Sequence, residues 1–214
     1  MNSYNRHMNH RAFGAIELIS VLAILAILAA LVAPRVLQTV RTTQSTQTVN
    51  EAHITQALVA IQGIQPAITA HLAQFGSLAS RNGTPLTFPD TYDNFGQVLL
   101  TEGLIERPFE LGIGTNATLR LIKVSGVTSG TTVTGFNGVY DLDGDGRNDV
   151  AGAAFVLEAV VPGVNELEAR ALNDRLDGSR LGAGPGQSDL LGRLVYLAPA
   201  PDGTTTLHIY LMRK

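Results

Sequence analysis

Three aspartates alternate with other residues in the segment DLDGDGRND, residues 141–149, and a fourth ends it. Hard cations such as Ca²⁺ bind about six to eight oxygen atoms, and this spacing wraps carboxylates around one point. Gly146 permits the sharp turn that such a loop needs. Without a cation, the crowded carboxylates would repel one another, so we predict a calcium site. Its predicted ligands are the side chains of Asp141, Asp143, Asp145 and Asp149 and the carbonyl of Arg147.

The segment is similar to EF-hand and other DxDxDG calcium loops, but the similarity is partial. The twelfth position, where an EF-hand has a bidentate glutamate, is Gly152. Glu158 or another carboxylate from outside the loop is a candidate to complete the shell, and a weaker, wetter site is the alternative. The segment is also compatible with a solvated acidic turn between strands that binds no ion.

A second pattern places one carboxylate inside an apolar stretch near the N-terminus. Residues 18–33 read LISVLAILAILAALVA, in which Ser20 is the only polar residue, and residues 13–16 extend this stretch towards the N-terminus. Glu17 therefore lies among apolar residues, where a charge costs about 2.5 to 3.5 kcal/mol at the centre of a membrane helix and less near its end. Such a group needs a partner of opposite charge.

A secretory signal peptide would also explain a basic leader followed by an apolar run. Cleavage after Ala33 would place Pro34 directly behind the cut, and the position of Glu17 is unusual for a signal peptide. These two residues favour another kind of membrane segment.

The string Phe13-Gly-Ala-Ile-Glu17-Leu, the apolar run after it and Pro34 together resemble the N-terminus of type IV prepilins and type II secretion pseudopilins. The resemblance implies that a prepilin peptidase cuts between Ala12 and Phe13, although the family usually has glycine before the cut. It also implies an N-methylated Phe13, an assembly carboxylate at Glu17 and the recurrent helix-breaking proline at Pro34. The new amine of Phe13 on one subunit and Glu17 of a neighbour would then neutralise each other.

The resemblance further implies an α+β, pilin-like fold and a structural role without enzymatic activity. The expected partners are other copies of the chain through the N-terminal helix, the prepilin peptidase, an inner-membrane assembly platform and minor pilins. The expected location is the bacterial inner membrane for the precursor, followed by an extracellular or periplasm-spanning filament. A surface pilus and a secretion pseudopilus both remain open. The alternative is a membrane-anchored or secreted calcium-binding module with an ordinary signal anchor.

The chain divides into a membrane-associated part and one globular domain. A long helix is predicted from about Phe13 to about Gly63, half of it embedded in the membrane, packed on a C-terminal antiparallel β-sheet domain. The predicted divisions are a cleaved leader at 1–12, the transmembrane and filament-core helix at 13–33, its amphipathic second half at 34–65, a variable connection with a short helix at 66–116, and the sheet domain at 117–214.

Alternating apolar residues predict the strands of the sheet domain. The predicted strands are Ala117 to Val124, Thr131 to Phe136, Ala151 to Val161, Arg193 to Leu197 and Thr205 to Met212. Short helices are expected around Phe95 to Glu102 and from Asn165 to Leu176. In the second of these, Asn165 is the predicted N-cap with Glu168 as its capping-box partner.

The amino-acid composition and the histidine positions argue against some classes of function. The 214 residues include no cysteine, so no disulfide can stabilise the domain. Their net charge is −3, and the sequence predicts no basic surface that would bind nucleic acid. Direct nucleic-acid binding is therefore not expected. His53, His71 and His208 lie in no recognisable catalytic pattern, and each is predicted to lie on a helix or sheet surface.

Overall fold

A computed structural model describes residues 50–124, 128 and 138–214. Residues 50–214 form one compact unit, with α+β architecture. The predicted leader, the apolar segment, the predicted helix as far as residue 49 and the predicted strand from Thr131 to Phe136 lie outside the described residues. Among the helices in the described part of the chain, none combines the length and apolar character that crossing a bilayer requires.

The first described helix, α1, covers residues 50–75. It extends beyond the predicted end near Gly63 and through Pro66, so the predicted boundary at 65 does not mark its end. Pro66 is exposed, and a proline on the solvent face leaves the unpaired carbonyl of the preceding turn open to water. The helix ends at Gly76, which has a φ of +71° and whose N–H donates to the Leu72 carbonyl at 2.8 Å.

Among the described residues, five strands form one antiparallel sheet: β3 Thr91–Tyr92, β4 Thr118–Lys123, β5 Phe155–Asn165, β6 Leu194–Tyr196 and β7 Thr204–Arg213. Their order in the sheet is β3-β4-β5-β7-β6. A separate two-stranded hairpin, β1 Ser80–Arg81 and β2 Thr84–Pro85, precedes the sheet. This hairpin was not predicted, although its connecting Asn82-Gly83 pair, with both φ angles positive, is a strong hairpin signal.

The described part of the unit has two further helices: α2, Phe95–Thr101, and α3, Glu166–Leu176. Asn165 caps α3 as predicted, because its side chain accepts a hydrogen bond from the Leu167 N–H at 2.9 Å. The predicted capping box, however, is replaced by a contact with another helix. Glu168 Oε1 lies 3.3 Å from Nδ1 of His53, which links α3 to α1.

One face of the sheet packs against the three helices. The buried side of α1 presents residues at helical spacing, among them Ile54, Ile61 and Ile68. Alternate residues of the strands, such as Leu157 and Ile209, meet them in one hydrophobic cluster. This face holds most of the apolar core.

The opposite face of the sheet carries a second, smaller apolar cluster. Ile122, Val156 and Val195 project from it and are buried against Tyr140 and Val150. Residues 138–154, which contain the acidic segment, therefore cover part of this face. The predicted strand from Ala151 begins only at Phe155, because residues 151–154 belong to this cover. The sheet thus has two buried sides, and the acidic loop lies on the side away from α1.

Candidate metal centre

The acidic loop is anchored where it meets the sheet and the neighbouring loop. Asp141 forms an isolated parallel bridge with Leu191, and the Asp141 carbonyl accepts the N–H of Gly192 at 2.7 Å. At the other end, the N–H of Asp149 donates to the Tyr140 carbonyl at 2.8 Å. The two ends of the loop are therefore held together by backbone hydrogen bonds.

Asp141 organises the inside of the loop. Its side chain is fully buried. Oδ1 accepts the N–H groups of Gly144 and Asp145 at 2.8 and 3.1 Å, and Oδ2 accepts the N–H of Gly146 at 2.8 Å. Gly146 has a φ of +85°, in agreement with the predicted sharp turn. The carboxylate thus fixes the turn through three backbone donors.

Asp149 makes a similar contact from the end of the loop. Its Oδ2 accepts the N–H of Leu142 at 2.6 Å and that of Asp143 at 3.3 Å. One ligand oxygen from each of Asp141, Asp143 and Asp149 lies within 4.8 Å of the others. This is the only such cluster of potential metal ligands among the residues that the structure describes.

The cluster suits a hard cation. Its donors are carboxylate oxygens, which Ca²⁺ prefers. Two oxygens that each lie about 2.3 to 2.6 Å from the same ion can be separated by as much as the oxygens of this cluster. A carboxylate has about four acceptor positions, so the backbone N–H contacts leave capacity for an ion. Nothing in this donor set distinguishes calcium from other hard cations.

One predicted aspartate lies outside the cluster. Asp145 is exposed, and its Oδ1 accepts the N–H of Arg147 at 2.8 Å. Asp145 is absent from the group of converging carboxylates. The Arg147 carbonyl stays a predicted ligand. Three of the four predicted aspartates therefore come together.

Glu158 does not complete the metal shell, which corrects one expectation. It is fully buried on the outer face of the sheet, where Oε1 accepts from Arg120 Nε at 2.7 Å and Oε2 accepts from the Tyr140 hydroxyl. His208 Nδ1 lies 3.2 Å from Oε1. Glu158 is not part of the carboxylate cluster. Its oxygens instead bind Arg120 on β4 and Tyr140 in residues 138–154, and so link this segment to the sheet.

The same network tethers the acidic loop, because Tyr140 immediately precedes Asp141. Burial, reinforced by the nearby Glu158 carboxylate, raises the pKa of Tyr140 well above its ordinary value. Its hydroxyl therefore stays protonated and donates to Glu158. The start of the metal cluster is linked in this way to the central strand β5.

Tyr140, Arg120 and the role of Glu158 were not predicted from the sequence. A signal was present: Glu158 interrupts the apolar run FVLEAVV of β5, and a charge at such a position indicates a buried, partnered carboxylate. The surface prediction for the histidines is wrong for His208, which is 5% exposed, and for His71, which is fully buried. His71 Nδ1 lies 2.6 Å from Glu102 Oε2.

The other predicted site residues, Ala12, Phe13, Glu17 and Pro34, lie outside the described residues. Comparison of the chain with protein-family models, curated proteins and solved structures finds no match. Inference about function therefore rests on the N-terminal sequence pattern and on the geometry of the described residues between 50 and 214.

We predict that calcium stabilises the domain. A ligand that binds only the folded state raises the free energy of unfolding by about 2.7 kcal/mol at a hundredfold excess over its Kd. Calorimetry of the detergent-solubilised full chain should show a higher Tm in calcium than in EGTA. Asp143→Asn should remove this difference, whereas Asp202→Asn, an exposed carboxylate in the β6–β7 turn, should keep it. An unchanged Tm in EGTA would eliminate the calcium site.

Two buried tyrosines provide a matched test of the network around Glu158. Tyr140 and Tyr196 are each 1% exposed, but only the Tyr140 hydroxyl has a hydrogen-bond partner among the described residues. Tyr140→Phe should lower the free energy of unfolding by about 1 to 3 kcal/mol, because Glu158 loses a donor. Tyr196→Phe should be nearly neutral or stabilising. Equal losses in chemical denaturation of the two variants would contradict the assigned role of Tyr140.

Proposed function

We propose that this chain is a structural filament subunit of the pilin or pseudopilin kind, which a prepilin peptidase processes and which polymerises into a type IV pilus or a type II secretion pseudopilus. The observation that carries the proposal is Glu17 within an apolar run, four residues after Phe13 and ahead of Pro34. A buried carboxylate of this kind is stable when a cation neutralises it. The amine that cleavage before Phe13 creates on a neighbouring subunit is such a cation.

The fold of the described residues agrees with this proposal at a coarse level. The amphipathic helix α1 packs against an antiparallel sheet. The apolar segment precedes this helix in the sequence. In the proposed filament, residues 13–33 anchor the precursor in the inner membrane and then form the filament core. The sheet domain faces outward, either at the cell surface or across the periplasm.

In this proposal, the carboxylate cluster of Asp141, Asp143 and Asp149 has a structural role. The chain has no cysteine, so a disulfide cannot hold the outer cover of the sheet. A calcium ion at Asp141, Asp143 and Asp149 would neutralise their charges and fix residues 141–149 in one conformation. The ion would act as a cross-link within the cover of the sheet.

Assembly requires further partners. The proposal includes contacts with other copies through the N-terminal helix, with the prepilin peptidase, and with the inner-membrane assembly platform and minor pilins. The second candidate function is a membrane-anchored or secreted calcium-binding module. The acidic cluster favours it, because the cluster needs no filament to bind an ion.

We predict that Glu17→Ala abolishes filaments in cells that carry the assembly machinery, because the amine of the incoming subunit loses its counter-charge. Ser20→Ala, at the other polar position of the same run, is the matched control and should keep them. The measurement is the amount of subunit in the sheared or cross-linked filament fraction. Normal filaments from the Glu17→Ala chain would contradict the proposal.

A further inference from the structure

His71 is fully buried near the C-terminal end of α1, and both of its ring nitrogens contact oxygen atoms. Nδ1 lies 2.6 Å from Oε2 of Glu102, the residue that follows the last turn of α2. Nε2 lies 3.1 Å from the carbonyl oxygen of Ser77, just after α1. The ring therefore joins α1 to the segment that follows it and to the end of a second helix.

The partner of Nε2 shows that this nitrogen carries a proton. A carbonyl oxygen can only accept hydrogen bonds, so Nε2 has to donate to Ser77. The hydroxyl of Ser80 lies 3.5 Å from Nε2, but it donates its own hydrogen to the same Ser77 carbonyl at 3.0 Å. Ser80 therefore offers His71 no proton in return.

The partner of Nδ1 is a buried carboxylate. The Glu102 side chain is 1% exposed, and His71 is the only group within ion-pair distance of it among the described residues. Its other oxygen, Oε1, accepts the N–H of Asn82 at 2.8 Å, which favours the ionised carboxylate. An ionised carboxylate only accepts hydrogen bonds, so Nδ1 also donates. Two donating nitrogens define the charged imidazolium form of His71.

The surroundings of the ring suit a positive charge. The ring centroids of Phe75 and Phe95 lie 5.1 and 5.2 Å from that of His71, and Phe95 stands at 82° to it. A cation within about 6 Å of an aromatic centroid can be stabilised by the π electrons of the ring. A buried cation also needs a hydrogen-bonded counter-ion, and Glu102 is that counter-ion.

Other charged groups lie outside this contact. Residues 52–80, which include His71 and the segment that follows α1, contain no Asp, Glu, Lys or Arg. Arg81 in the hairpin and Glu106 and Arg107 after α2 are exposed, and none of them forms an ion pair within the described part of the chain. The charge at this position is therefore set by His71 and Glu102.

We propose that His71 is an imidazolium in the folded domain and acts as a pH-sensitive switch that holds residues 77–86 on α1. The charged ring binds the Ser77 carbonyl directly, and through Glu102 it holds Asn82 in the turn of the β1–β2 hairpin. Loss of the second proton leaves a ring nitrogen that accepts, facing an oxygen that also accepts. Residues 77–86 then separate from α1. The proposal does not depend on filament assembly or on the metal cluster.

The direction of the pH dependence follows from the proton that the folded domain holds. An unconstrained histidine loses its second proton at about pH 6.5. The contribution of the ion pair to stability is therefore complete below about this pH. It is lost at higher pH, where the folded domain also releases the proton, so the switch opens in alkaline solution.

Nuclear magnetic resonance of the detergent-solubilised full chain, with isotopically labelled histidine, tests the charge of the ring. The His71 signals are recognised by their proximity to ring protons of Phe75 and Phe95, so no variant is required. At about pH 7.5, both ring nitrogens should carry a proton in the folded chain, whereas about nine in ten copies should have a bare nitrogen in urea. A bare nitrogen on folded His71 at this pH, including one that accepts a proton from Glu102, would overturn the proposal.

Hydrogen exchange measured by mass spectrometry tests the release of residues 77–86. Glu102→Gln removes the counter-ion at nearly constant size, so at about pH 7.5 one ring nitrogen of His71 should become bare. Protection of residues 77–86, relative to the unfolded chain at the same pH, should then fall at least about tenfold. Protection of α3 should stay unchanged.

The matched control is Glu168→Gln, which removes the carboxylate beside the half-exposed ring of His53. It should change neither the His71 signals nor the exchange of residues 77–86. The switch is contradicted if the two variants behave alike, if residues 77–86 keep their protection once His71 has a bare nitrogen, or if α3 loses protection to the same extent. Should Glu102→Gln fail to fold, the same exchange measurement on the unmodified chain, from about pH 6.5 upwards, decides between these outcomes.

Discussion

Glu158 lies in the central strand of the sheet, on the face away from α1, and it is fully buried. Removing a carboxylate from water costs several kcal/mol unless charged and hydrogen-bonding partners replace the water. Arg120 and Tyr140 supply those partners. Because Tyr140 comes from residues 138–154, this segment has to stay on the sheet for the carboxylate to remain satisfied. The outer cover of the sheet, and the acidic loop within it, depend on this contact.

The acidic loop is consequently held at several points before any ion binds. Tyr140 ties its start to β5, the Asp141 carbonyl ties it to Gly192, and the Asp141 carboxylate fixes the turn through backbone donors. Pre-organisation of this kind reduces the ordering cost of binding. What remains unfavourable is the mutual repulsion of the carboxylates, and a hard cation removes it. In a domain without cysteines, the loop and an ion can together provide the cross-link that disulfides provide elsewhere.

The sequence predicted those parts of the domain that depend on local pattern. Alternation identified β4, β6 and β7 closely, and Asn165 marked the start of α3, because these signals need no knowledge of distant residues. The end of α1 was predicted too early, since the tolerance of Pro66 depends on its solvent-facing position. The convergence of Asp141, Asp143 and Asp149 was anticipated, whereas the separation of Asp145 depends on how the turn folds.

The spacing of residues in the sequence did not predict the long-range partners of the buried ionisable side chains. Glu158 was one candidate to complete the metal shell, yet Arg120 on the neighbouring strand engages it. The burial of His71 and His208 was not predicted for the same reason, because each contacts a glutamate that is distant in sequence. Such pairings arise from sheet register and helix packing, which one sequence specifies only through the complete fold.

The most direct measurement of the proposed filament role is the mass and N-terminal sequence of the mature chain, purified from cells that assemble it. The filament proposal predicts a chain that begins at Phe13 and carries a methyl group on its amine, so that an ammonium is available to Glu17 of the adjoining subunit. A chain that still begins at Met1, or one that starts after Ala30 in the manner of a secreted protein, would contradict it.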